Sequence, residues 1–149
     1  KSYTTTEKEN GIFIPAINIE APLVTPRNSE QKSINAALKK GVVHYPGSAF
    51  PGENGMTIIL GHSAGPSWPK IYYDWVFSDL NSLKEGDLIY IYFEHKKFTY
   101  QVKGIRMLNP GEEIPEDNLD SSRPSLALVS CWPPGSSQGR IAVTAQILE

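Results

Sequence analysis

One cysteine, two methionines and three histidines are spread through 149 residues, and the first of these scarcities removes whole classes of protein. A lone cysteine excludes an internal disulfide and any metal site built from several thiolates. The charge is nearly balanced, 14 basic against 16 acidic residues for a net of -2, so no basic footprint for nucleic acid or an anionic membrane surface exists. No apolar run approaches the roughly 20 residues that span a bilayer as a helix. Long helices are disfavoured as well, because 12 glycines and 12 prolines break the chain into short pieces, which suits strands. What is present is ordinary: 40% hydrophobic and 20% charged residues, with no internal repeat. A chain of this length reads as one domain that buries about two-thirds of its unfolded surface.

Residues 1–10 are polar and Thr-rich, and are expected to be a loosely held tail or the remnant of a linker to an anchor. In 11–20 the alternation at Ile17 and Ile19 gives a half-buried strand, with Pro15 demoting its first half to an edge or bend. Residues 28–41 form the best helix: Asn28 or Ser29 to cap it, Glu30 in its first turn, Lys39, Lys40 and Gly41 at its end. Ile34, Ala37 and Leu38 share one face, so the helix should cover one side of a sheet. Strands follow at 41–45 and 56–62, the second almost wholly apolar and ending at His62. An aromatic loop occupies 68–77. Residues 88–93 and 97–102 bracket Glu94-His-Lys as a hairpin, with a bulge expected at Gly104. After an acidic, Pro-punctuated loop come two apolar runs, Leu126–Cys131 and Arg140–Val143, joined by a Pro/Gly/Ser loop. About eight short strands and one covering helix predict an all-β fold, a single closed barrel with one or two short helices, since closure removes exposed edges.

Cys131 ends its strand against Pro-Pro-Gly rather than sitting mid-strand, which favours a usable thiol over an inert core residue. Such a thiol needs a neighbour to steer its proton and a donor for the oxyanion it creates. Of the histidines, His95 lies at a hairpin tip between charged residues, His44 ends a strand beside Tyr45-Pro46, and His62 has the strand-end setting that suits acid–base work. Arg140 opens an apolar strand after small residues; it is either a surface cation paired to a carboxylate or a donor aimed at an oxyanion. The carboxylates of 112–120 lack EF-hand spacing and read as a solvated face, so calcium activation stays open without being indicated, and no other metal or cofactor is implied. A barrel-shaped binding module with a buried cysteine, or a carbohydrate binder using Trp68, Tyr72, Tyr73 and Trp75, are readings from other classes.

The ordered pieces together resemble the sortases, cysteine transpeptidases of bacterial surfaces. The likeness runs from Gly11 onward: Ile-Pro-Ala-Ile-Asn-Ile, then Gly-Met-Thr-Ile-Ile-Leu-Gly-His62, then Phe-Ser-Asp-Leu-Asn-Ser-Leu-Lys-Glu-Gly-Asp, then Leu-Val-Ser-Cys131 with Arg140 nine residues later. The resemblance implies an eight-stranded barrel over 11–149 with His62, Cys131 and Arg140 meeting at one end of a groove. Cys131 would attack a carbonyl in a sorting signal similar to Leu-Pro-x-Thr-Gly, His62 would carry protons, and Arg140 would support the oxyanion. The thioester would pass to an amine of a peptidoglycan precursor or pilin lysine, or to water in a cysteine peptidase. The resemblance also implies tethering at the outer face of a bacterial membrane by a segment outside this sequence. Ser130 stands where the family usually has threonine, and Ser63-Ala-Gly-Pro follows the histidine instead of arginine or threonine. Ser130, Trp132 and Ser63 are therefore the expected substrate-binding positions.

Overall fold

The computed structural model describes residues 3–148. Its strands are β1 (Tyr3–Thr5), β2 (Asn10–Ile14), β3 (Ile19–Val24), β4 (Val42–His44), β5 (Met56–Leu60), β6 (Leu88–Phe93), β7 (Lys96–Leu108), β8 (Ser125–Trp132) and β9 (Gly139–Ile147). One helix, α1 (Gln31–Leu38), and two single 3-10 turns, Pro15–Ile17 and Leu80–Ser82, complete the chain. The sheet runs β7-β6-β2-β3-β4-β5-β8-β9 and closes where β9 pairs with β7, giving an eight-stranded barrel with β1 added to the edge of β7. The expected all-β barrel is the observed one.

Alternation builds the core. Ile12 and Ile14, Ile89 and Ile91, Leu126 and Leu128, and Ile141 and Val143 come from four strands into one interior cluster, each 0–1% exposed. Tyr100 joins them; its hydroxyl accepts the Gly52 N–H at 3.0 Å, and burial pushes that hydroxyl above its ordinary pKa. Outside the barrel, α1 sets Ile34, Ala37 and Leu38 against Val43 and Leu60. The face of α1 is the expected one, but its start is not. The cap position is Glu30 and has no side-chain cap bond, while Asn28 Oδ1 accepts the Glu30 N–H at 3.0 Å in the turn before the helix.

Two further expectations are refined. The Pro15 break is a 3-10 turn closed by Asn18 in the left-handed region (φ 52°), so two full strands flank it. The β6–β7 hairpin turns on Glu94 and His95, both with positive φ (49° and 63°), the twist a two-residue loop requires. Gly104 lies at a register shift of β7 against β9, as a bulge. The N-terminal tract departs from expectation: Tyr3–Thr5 pairs with Lys96–Phe98, and Tyr3 packs on Phe98 with ring centroids 5.7 Å apart, so this part is strand rather than loose tail.

Gly61, just beyond β5, is held by packing. A Cβ there would meet the fully buried Phe77 ring at 2.4 to 2.8 Å. Gly61→Ala is expected to cost about 1–3 kcal/mol by overpacking, read as a lower midpoint in urea unfolding.

Candidate active site

Three neighbouring strands end at one level. β5 pairs with β8 in parallel, Leu60 opposite Val129, and the Gly61 N–H extends the ladder to Val129 O at 3.1 Å. His62 is two residues past Leu60, and Cys131 two past Val129, so they stand side by side. On the other flank β9 runs antiparallel and Arg140 lies directly opposite Cys131. With strands about 4.8 Å apart, the three residues span roughly 10 Å across the sheet. Leu126 and Leu128 face the core, so Cys131, like Ala127 and Val129, belongs to the outer face, and Arg140 as its cross-strand partner shares it. The histidine, the thiol and the cation are each partly exposed.

Arg140 is not tied to a carboxylate among the described residues, whose ion pairs lie elsewhere. Its Nη1 donates to Gly139 O at 2.8 Å and Ser137 O at 3.3 Å, so the chain's own carbonyls orient the guanidinium and leave other N–H groups to point outward. A surface ion pair is therefore not its arrangement.

Ser63 joins the two loops at the site. Its Oγ donates to Cys131 O at 2.9 Å and accepts the Gly135 N–H at 3.3 Å. Gly135 has φ +82°, and a Cβ there would sit 2.8 Å from Gly65 N, so only glycine lets the 133–138 loop lie this close to the segment after His62. The peptide bond between Trp132 and Pro133 at the start of that loop is cis.

The structure places the three expected substrate-binding residues differently. Ser63 is 7% exposed and its hydroxyl is committed to backbone groups. Ser130 is 4% exposed and pairs with Ile141 on the core side of β8, the face opposite Cys131. Trp132 packs partly buried against the core cluster. None of the three lies open over the thiol: strand alternation turns Ser130 and Trp132 inward, and hydrogen bonding occupies Ser63.

His44 is structural. It is 2% exposed, stacks on Phe50 with ring centroids 4.7 Å apart, and its Nε2 lies 2.9 Å from Ala49 O and 3.2 Å from Ser48 Oγ. His95 is exposed at the hairpin tip, 3.9 Å from Glu9.

Sequence reading missed Gln146 and Arg106, which hold the 109–124 loop over the outer face of β9. The buried Gln146 amide accepts the Asp120 N–H at 2.6 Å and donates to the carbonyls of Asp120, Arg123 and Pro124. Arg106 pairs with Asp117. Ser122 donates its hydroxyl and N–H to the Asp120 carboxylate and holds it below the usual carboxylate range. The available signal was one amide in the apolar run Ile-Ala-Val-Thr-Ala-Gln-Ile, a polar group that must be satisfied if buried. Gln146→Leu leaves those backbone groups without their amide partner, and is expected to destabilise the fold by about 2–3 kcal/mol in urea unfolding.

Comparison with known proteins bears on the family of the chain. A family model described as Sortase domain matches residues 12–148. Sortase D of Bacillus subtilis (strain 168) is 29% identical over 129 residues, covering 86% of this chain and 57% of that protein. Sortase A of Bacillus anthracis is 25% identical over 138 residues, 92% of this chain and 58% of that protein. The chain thus spans a little under three-fifths of the length of these curated relatives. Among solved structures, sortase C-1 from Actinomyces oris superposes with a TM-score of 0.74 at 27% identity, covering 94% of this chain and 73% of that one. The pilus-related Sortase C of Group B Streptococcus gives 0.74 at 28% identity, covering 98% and 70%. With the domain model matching nearly every strand of the barrel and its whole site end, this chain belongs to the sortase family.

Proposed function

We propose that this chain is the catalytic domain of a cysteine transpeptidase that cleaves an LPxTG-like sorting signal and joins the acyl part to an amine. The observation that carries the proposal is the level row of His62, Cys131 and Arg140 on three adjacent strand ends. In this reading the Cys131 sulfur attacks the scissile carbonyl and Arg140, together with backbone N–H groups, supports the oxyanion. His62 protonates the departing amine, leaving a thioester, and later accepts a proton from the incoming amine. Rigid strands rather than loops set the spacing of thiol and cation, which favours a fixed attack geometry. These steps use side chains and backbone N–H groups and call for no cofactor.

Surface proteins bearing a C-terminal sorting signal are the proposed donors, and a peptidoglycan-precursor amine or pilin lysine the acceptor. The proposed place of action is the outer face of a bacterial membrane. Among the described residues no helix is long and apolar enough to cross a membrane.

Mass spectrometry of products from an LPxTG-type peptide library, with and without added amine, tests the proposal. A thioester on Cys131 and an amine-dependent ligated product are expected; cleavage to free acid alone at every amine concentration would replace it with a peptidase. Ser63→Ala is expected to lower the rate of thioester formation about tenfold, since it frees both the Cys131 backbone and the loop at Gly135. An unchanged rate would show that Ser63 has no positioning part.

A further inference from the structure

Beyond the strand ends, on the side of Ser63, lies a cavity of about 250 Å³. Gly65, Trp68, Lys70, Trp75 and Asp79 line it from one side and Pro134 from the other. Short stretches of chain tie its lining to the strand that carries the thiol: Ser63, bonded to Cys131 O, is two residues before Gly65, and Pro134 is three residues after Cys131.

Three observations give this cavity a chemistry. Lys70 Nζ lies 5.7 Å from the centre of the Trp75 ring, so one aromatic face already takes an ammonium. Trp68 offers a second indole and is 54% exposed. Asp79 is exposed, and among the described residues its carboxylate makes no ion pair and no cap bond to the turn it precedes. Indole faces beside an unpaired carboxylate suit a cation, and suit a peptide carbonyl or an anion poorly.

We infer that this cavity collects the acceptor as a primary ammonium, with Trp68, Trp75 and Asp79 as the binding groups and Lys70 as an internal competitor. The inference rests on the transpeptidase reading and says from which side the amine comes. An alkyl ammonium is protonated at neutral pH, its pKa being near 10.4 in lysine. It gives up one proton to solvent water as it moves from the carboxylate toward the thioester. Its nitrogen then bonds to the acyl carbon, the C–S bond breaks, and the second proton ends on the Cys131 sulfur, by way of His62. The cavity acts before that step, by raising the local concentration of amine.

The test is the partition of one thioester between amine and water at sub-saturating amine, which is independent of how fast the thioester forms. Exposed cation–π and ion-pair contacts imply two- to fivefold effects, roughly. Asp79→Asn and Trp68→Ala should lower the ratio of ligated to hydrolysed product by that factor, and Lys70→Met should raise it. Hydroxylamine, uncharged at neutral pH, should partition alike in wild type and Asp79→Asn. Ratios that stay constant, or that move the same way for Asp79→Asn and Lys70→Met, overturn the inference while the thioester still supports the transpeptidase. Failure of the wild-type protein to form any thioester overturns both.

Discussion

Cys131→Ala is expected to abolish thioester formation and peptide cleavage, a loss on the order of 10³-fold or more, while the barrel stays folded. The thiol is the only one in the chain, so no second nucleophile of its kind can substitute. It is partly exposed on the outer face of β8, outside the interior cluster, and its removal should change stability by roughly 1 kcal/mol or less. Intact-mass measurement after mixing with peptide reads the adduct, and thermal unfolding reads the fold. Turnover retained by folded Cys131→Ala would sink the proposed mechanism. Labelling native protein with a thiol reagent separates the mechanism from a plain binding barrel, because only a usable thiol reacts.

The second large effect is a double dissociation between two histidines. His62→Ala is expected to lower turnover by about 10²–10⁴-fold, the range of general acid–base catalysis, with little change in stability. His44→Ala should do the reverse. It removes a ring that stacks on Phe50 and holds the 45–49 turn, and about 1–3 kcal/mol of stability should go with it. The folded fraction should still turn over near the wild-type rate, because His44 closes β4 as a buried residue paired with Ile59, three residues before His62. Equal loss of rate in both variants, each shown to be folded, would contradict the assignment of roles.

Both expectations could be formed from sequence because strand ends are legible. An apolar run fixes where a strand is, and the first polar residue after it marks the mouth of the barrel, as at Gly61-His62 and Ser130-Cys131. The helix face at Ile34, Ala37 and Leu38 and the 88–102 hairpin were legible for the same reason, period against burial. Ser130 was legible and misread. Counting by twos from Leu126 and Leu128 puts it in the interior, but nearness to the cysteine suggested contact with substrate. Tyr3–Thr5 was beyond reach, since a three-residue polar strand has no pattern of its own and exists only because β7 extends past the end of β9. Ser63 and Gln146 were hidden for a related reason. Their partners lie 68 and 26 residues away or thereabouts, and no local rule names a bond of that range.

The way Gln146 and Arg106 hold the 109–124 loop has a consequence for how members of such a family could diverge. Both attachments grip residues from 117 onward. Among the described residues, hydrogen bonds of 109–115 are confined to the exchange between Asn109 and Glu112, and Glu116 O accepts the Leu119 N–H from within the loop itself. The loop is therefore a cantilever, clamped in its second half and free in the first, and the free arm leaves β7 opposite Arg140. Length and sequence can drift in that arm without cost to the barrel, so it is a natural splice point for grafting foreign segments beside a fixed chemistry.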